Sequence, residues 1–361
     1  MSYIKFEKSQ LVNLEFSLKR EILRANRAGS YANSTIVNCN TRKYHGLLIT
    51  PQPGVDNENH VLLSSLDETV IQMEASFNLG IHKYPGAKYH PAGHKYLREF
   101  QIEPYPKMTY RVGGVILTKE MVFTSKDDRM IIRYTLEEAH SPTKLRFSPY
   151  LAFRNIHSLS KENIFADKKY ERAPHGIKVR MYQGYTDLFL QFSKEVEYTH
   201  VPDWYYNIEY QEEMERGYDY QEDLYVPGFF ELDIQPGESI YFAAGTRELT
   251  PSQLKKAFNQ ELEKRVLRDS FKHCLINSAQ QFICKKGRHT EVLAGFPWFG
   301  RSGRSTFVSL PGLTLVNGDH STCKSVIDTM VSEMHGPFFP LFGSDPSAIY
   351  GAADTSLWFF W

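Results

Sequence analysis

From about residue 109 onward, short apolar runs alternate with turn residues at regular intervals. Thr109 to Val112, then Gly113-Gly114, then Val115 to Phe123 predicts a hairpin, because paired glycines reach the positive φ angles that a two-residue turn requires. Met130 to Leu136, Leu145 to Tyr150, Ile177 to Met181 and Leu188 to Phe192 continue the series. Phe229 to Ile234 and Ser239 to Ala243 complete it, joined by the turn Gln235-Pro236-Gly237. No helical period intervenes, so the pattern predicts an antiparallel β-sandwich and not a βαβ sheet. The most polar stretch, Tyr205 to Glu222, is expected to be an exposed loop over the sheet or a domain interface.

The pattern changes at Thr250-Pro251, where a good N-cap precedes a proline at the first helical position. Leu254, Phe258, Leu262 and Val266 recur every four residues, and Phe271, Leu275, Ala279 and Phe282 predict a second buried stripe. Further helices are expected over Phe307 to Leu315, Cys323 to Met334 and Thr355 to Trp361. The fold class that follows is multidomain, β then α: a sandwich domain over 1–260 and a helical domain over 261–361, with the break near 245–270. Residues 266–361 hold roughly four helices of the mean length of about 11 to 12 residues. Since the last run ends in aromatics without a cap, the helical domain is expected to be incomplete.

A length of 361 residues fits two domains, and 42% hydrophobic with 23% charged residues is ordinary for a soluble globule. Lys and Arg number 42, as do Asp and Glu, and no dense basic block occurs. That disfavours nucleic acid and membrane partners. The aromatic fraction of 14% suits strands, and it also suits the apolar faces of sugar rings. The first residues lack a basic segment followed by an apolar one, and no run approaches the roughly 18 apolar residues of a membrane span. Cys39, Cys274, Cys284 and Cys323 lack metal or disulfide spacing, so no metal site is expected and a reducing cytoplasm is the expected location.

Four constellations carry candidate chemistry. In the first, around Arg42, Tyr44 and His45, the residues offer hydroxyl donors and a stacking face, but they equally suit a turn with a satisfied histidine. Leu66-Asp67-Glu68 holds adjacent acids, which on a strand point to opposite faces and so cannot act as a pair; a solvated strand end is expected. Ala294 to Phe307 mixes Gly and Pro with aromatics in an expected loop before a helix. There Trp298 and Phe299 could stack on pyranose faces while Arg304 bonds hydroxyls, or the loop could simply pack between helices. In the fourth, Tyr350 to Phe359, Asp354 is either a helix N-cap or a carboxyl kept protonated beside Trp358 and Phe359, as a glycosidase general acid requires. Phosphate-loop, GxSxG and HExxH motifs are absent.

At these residues the chain resembles the prokaryotic-type glycogen debranching enzymes, the amylo-α-1,6-glucosidase family. The segments AGSYANSTIVNCNTRKYHGLLI (28–49) and LLSSLDETV (62–70) resemble its N-terminal domain. AGFPWFG (294–300), STFVSLPGL (305–313) and DTSLWFFW (354–361) resemble the opening of its catalytic domain. The resemblance implies a supersandwich-like N-terminal domain followed by the first part of an (α/α)6 barrel. It implies hydrolysis of α-1,6-linked glucose stubs in glycogen or another branched α-glucan, without a cofactor. Asp354 is then the candidate catalytic acid, and Trp298, Phe299, Arg304, Tyr350 and Trp358 are candidate substrate-binding residues. The family's Trp-Gly-Arg-Asp-Thr stands here as Ser302-Gly303-Arg304-Ser305-Thr306, without the tryptophan and the aspartate. The alternative to an enzyme is a non-catalytic α-glucan-binding remnant.

Overall fold

The computed structural model describes residues 3–343 and 348–361; Met1 and Ser2, where the N-terminal segment begins, lie outside them. The described residues form two compact units, one running to Asn26 and over Ser30–Arg265, the other comprising Arg27–Gly29 and Val266–Trp361.

The first unit is sandwich-like and antiparallel. Its nine-stranded sheet runs, in spatial order, Ile4–Glu7, Leu97–Ile102, Pro106–Val112, Val115–Phe123, Arg129–Glu138, Ser239–Gly245, Leu188–Phe192, Gly176–Val179 and Tyr170–Ala173. The second sheet orders Glu197–Glu209, Gln221–Ile234, Thr143–Asn155, Asn59–Gln72, Gly46–Pro51, Tyr31–Thr35 and Glu21–Ala25, with Ala75–Asn78 paired to Asn59–Gln72. The predicted hairpin is present: Val112 pairs with Val115, and Gly113 and Gly114 take φ of 56° and 79° in the turn.

Alternation along the strands builds the core. Leu117, Met121 and Phe123 join Tyr134, Phe147, Phe192 and Phe230 in one buried cluster between the sheets. Val122, Ile131, Tyr241 and Ala243 point the other way and are covered by Leu254 and Phe258 of the helix Leu254–Glu263. The helix begins after a single turn, Pro251–Gln253, and the Thr250 side chain makes no capping bond. Among the described residues no helix is long and apolar enough to cross a membrane.

Two expectations for this unit are corrected. Tyr205 to Glu222 is not an exposed loop: it is the end of the strand Glu197–Glu209, a short helix Gln211–Glu215 and the start of Gln221–Ile234. Tyr210, Glu213 and Glu222 are buried there: Glu222 forms an ion pair with Arg154 and accepts hydrogen bonds from Ser160 and Tyr210, and Glu213 accepts from the Lys43 amide at 2.9 Å. Asp67 and Glu68 likewise do not end a strand. They lie within Asn59–Gln72, both buried, and their opposite orientation sends Asp67 to His82 and Glu68 to Lys119.

The second unit contains a small antiparallel sheet, Ile283–Lys286, His289–Gly295 and Phe299–Arg301. Around it are the helices Phe271–Gln281, Gly303–Leu313, His320–Ser332 and Ala353–Phe360. Val292, Phe307, Leu310, Cys323, Val326, Met330 and Phe339 form its core. The expected second stripe does not face inward, since Phe271 is 62% and Leu275 54% exposed. The inward face of that helix carries Cys274 and Asn277 instead, and the Asn277 amide donates to the carbonyls of Val266 and His273.

Candidate functional site

The segment expected as a loop before a helix is a β-hairpin. Gly295 pairs with Phe299 and Leu293 with Arg301, leaving Phe296-Pro297-Trp298 as the connecting turn. Trp298 is half-buried in the turn, whereas Phe299 is 66% exposed.

Strand alternation then turns Arg301 inward. Its guanidinium bonds Glu333 and lies 3.7 Å from Glu291, and its Nε donates to the Gly343 carbonyl at 2.9 Å. Glu333 follows the helix His320–Ser332 as its C-cap, so Arg301 fastens hairpin and helix. The Tyr350 hydroxyl donates to the Glu333 carbonyl at 2.9 Å, which ties this candidate residue to the same network. Arg301, Glu291 and Glu333 went unnoticed in the sequence. The available signal was the two-residue strand period, which places Arg301 on the face opposite to exposed Gly300.

Ser302 caps the next helix, its hydroxyl accepting from the Ser305 amide, so the residue standing in place of the family's tryptophan has a structural task. Gly303 follows. A Cβ on it would sit 2.2 Å from the Pro340 carbonyl oxygen and 2.8 Å from Thr355 Cγ2, a space only glycine leaves open. This close approach brings the first turns of Gly303–Leu313 and Ala353–Phe360 together. Arg304 Nη1 consequently lies 3.4 Å from Asp354 Oδ2.

Asp354 is not an N-cap. That position belongs to Ala352, and Asp354 sits in the first turn, where a carboxylate faces the positive end of the helix dipole. Its side chain and that of Arg304 are 46% and 60% exposed, so the pair stands at the surface of this unit and is open to a ligand. Trp358, one turn further, is half-buried against the core cluster, with its ring 5.9 Å from that of Trp361. The rings of Phe307, Phe339 and Phe359 pack within 4.8 to 5.4 Å of one another and tie the two helices together. The fold thus joins Arg304 to Asp354 and anchors Tyr350 through Glu333, while Trp298 and Phe299 belong to the hairpin.

In the first unit, the structural alternative holds around His45. The ring is fully buried; its Nδ1 accepts from the Thr41 amide at 3.1 Å, and its Nε2 lies 3.3 Å from Glu21 Oε2. Arg42 Nε donates to Glu21 at 2.7 Å, and the Tyr44 hydroxyl meets His157 Nδ1 at 3.2 Å. Burial pushes the Glu21 carboxyl up, but the hydrogen bonds and charges of His45 and Arg42 outweigh it and bring the group down to about 2. His45 and Arg42 thus converge on the Glu21 carboxylate. Among the described residues no group of three or more metal-ligating side chains occurs.

Against this geometry, the family model for the N-terminal region of glycogen debranching enzyme matches residues 20–241. The chain belongs to the glycogen debranching enzyme family. The family model described as amylo-alpha-1,6-glucosidase matches residues 277–361. A bacterial glucoamylase complexed with acarbose aligns over 94% of this chain and 51% of its own, at 10% identity and a TM-score of 0.43. A putative kojibiose phosphorylase from the human microbiome aligns over 72% and 34%, at 10% identity and a TM-score of 0.31. The chain therefore spans about half the length of the glucoamylase it matches. No curated protein matches the sequence.

Proposed function

We propose that the chain handles branched α-glucans and hydrolyses α-1,6-linked glucose stubs, with Asp354 as the general acid. Arg304, Tyr350, Trp298, Phe299 and Trp358 shape the glucose subsite in this proposal, and the helices of the second unit belong to an (α/α)6 barrel. The observation that carries it is the Arg304 to Asp354 pair, held at the surface by two helix starts within the segment matching the amylo-alpha-1,6-glucosidase model. In the reaction, Arg304 would exchange the carboxyl for substrate hydroxyls, and Asp354, protonated once that ion pair is opened, would give its proton to the glycosidic oxygen while water adds at the anomeric carbon. A second carboxylate must activate that water directly or form a glycosyl intermediate first. Tyr350, fixed by its bond to Glu333, is suited to hold a sugar hydroxyl or stack on a ring.

Glucose release from a phosphorylase limit dextrin tests the proposal. The full chain is expected to release glucose, and Asp354→Asn to reduce the rate by at least about a hundredfold, the lower range for loss of an acid–base catalyst. Release unaffected by Asp354→Asn would remove Asp354 from the role. No release from the unaltered chain would remove the hydrolytic proposal.

A second proposal, glucan binding without hydrolysis, rests on the same pair together with the serines that stand where the family has tryptophan and aspartate. A guanidinium beside a carboxylate is a ready set of donors and acceptors for vicinal hydroxyls, and Ser302 and Ser305 serve the helix start. Retention in glycogen-containing gels without glucose release is the result it expects.

A further inference from the structure

Three adjoining cavities mark the surface of the sandwich-like unit, made of none of the residues around Asp354. The first, about 230 Å³, lies beside the edge strand Tyr170–Ala173 and is bounded by Tyr170, Tyr198, Arg172, His175 and Glu195. The second shares Glu195 and Val196 with the first, and the third shares Lys144, Glu231 and Asp233 with the second. Through these shared residues they adjoin in series, and together they form a trough.

Its lining has a definite chemistry. At one end, the Tyr170 ring stands 4.8 Å from that of Tyr198 and 4.9 Å from that of His200, giving a rigid aromatic wall. His175, at φ 51° in the turn that follows this strand, has its Nδ1 shielded from solvent and without a hydrogen-bond partner. Along the trough the cations are Arg172, Lys194, Lys144 and Arg146. The carboxylates are Glu195, Glu197, Glu231 and Asp233, equal in number. Several are already mutually paired: Arg146 Nη2 lies 2.7 Å and Lys144 Nζ 3.7 Å from Glu231.

That balance decides between ligand classes. A nucleic acid or another polyanion gains affinity from excess cations, and a cationic peptide from excess acids; neither excess is present. A neutral polyhydroxylated chain uses what is there: donors and acceptors side by side for hydroxyls, and an aromatic wall for the C–H face of a pyranose. We propose that the trough is an oligosaccharide-binding site for a linear stretch of α-glucan, with Tyr170 as its stacking platform and Arg172 as its hydroxyl donor. The choice of α-glucan rests on the function proposed above, whereas the neutral carbohydrate class rests on the trough alone. Such a site keeps the chain on the polymer while the Asp354 site acts.

Calorimetric titration of the full chain with maltoheptaose tests this, alongside glucose release from limit dextrin. Tyr170→Ala is expected to weaken binding about tenfold, equivalent to one stacked ring. Arg172→Ala, at an exposed position that packing does not require, is expected to weaken it severalfold with the far-UV circular dichroism unchanged. Unaltered affinity in both variants, or no maltoheptaose binding by the unaltered chain, would overturn the trough. Binding that depends on Tyr170 without any glucose release would sustain the trough while the hydrolytic proposal falls. Glucose release combined with binding indifferent to Tyr170 and Arg172 would do the reverse.

Discussion

Lys119 Nζ lies 2.6 Å from Glu68 Oε1 in the middle of the sandwich-like unit, with the two side chains only 1% and 3% exposed. The strands that carry them, Val115–Phe123 and Asn59–Gln72, belong to different sheets, so the ion pair spans the core. The Tyr134 hydroxyl donates to the same carboxylate, and burial, followed by the Glu68 charge, pushes that phenol well above its ordinary value. Removing one partner of such a pair leaves an uncompensated buried charge. Lys119→Met is therefore expected to lose about 3 to 5 kcal/mol of stability in urea unfolding. Adding Glu68→Gln, which keeps an acceptor for Tyr134, is expected to recover most of that loss; a double variant as unstable as the single one would refute the buried-charge explanation.

This pair also shows where sequence patterning stops. Gly113-Gly114 and the alternating runs beside it announce their hairpin, because both the turn chemistry and the strand period are local. Glu68, Glu213 and Glu222 read as solvated acids because their partners are distant in sequence: Lys119 lies 51 residues and Arg154 68 residues away. Arg304 and Asp354 were individually legible as candidates, but their meeting depends on Gly303 accepting the Pro340 carbonyl, which no periodicity encodes. The hairpin at Ala294 to Arg301 was hidden for a different reason. Its strands are short and rich in Gly and aromatics, a composition shared with irregular loops.

The acid end of the stability curve should report Glu21. Its carboxyl is lowered from an ordinary 4.5 to about 2 in the folded chain, since His45 and Arg42 overcome the opposing effect of burial. A depressed folded value means stability that is present above the unfolded value and lost as pH falls from about 4.5 toward about 2. Because Glu21 is partly solvent-exposed, screening reduces the effect to no more than roughly 2 kcal/mol. The stability gap between the unaltered chain and Glu21→Gln is expected to be full at pH 6 and to close through this acid window, as measured by urea unfolding at a series of pH values. A gap independent of pH would show that Glu21 does not titrate differently in the folded and unfolded chains.

The junction of the two helix starts should be intolerant at Gly303 and tolerant at Ser302. A methyl group on Gly303 meets a backbone oxygen, which cannot rotate away, so Gly303→Ala is expected to cost about 1 to 3 kcal/mol through forced backbone shifts. Ser302→Ala removes one capping acceptor and is expected to cost about 1 kcal/mol. Thermal unfolding of the two variants checks the order. Hydrogen exchange of the Ser305 amide should accelerate in Ser302→Ala.

Arg304 and Asp354 separate stability from chemistry. Their ion pair is exposed on both sides, and such pairs contribute less than about 1 kcal/mol, because water and salt already screen the charges and two mobile side chains must be held in place. Arg304→Ala and Asp354→Asn are therefore expected to unfold within a few degrees of the unaltered chain, while glucan binding or hydrolysis at this site falls steeply. A large drop in unfolding temperature in either variant would instead place the pair among the groups that hold the helices together. Raising salt distinguishes the two cases further: screening weakens an exposed pair but leaves hydrogen bonds to a bound neutral sugar largely intact. Affinity for maltose or glucose at this site that persists at high salt, in a chain whose stability has hardly changed, is the outcome expected for a sugar-binding pair.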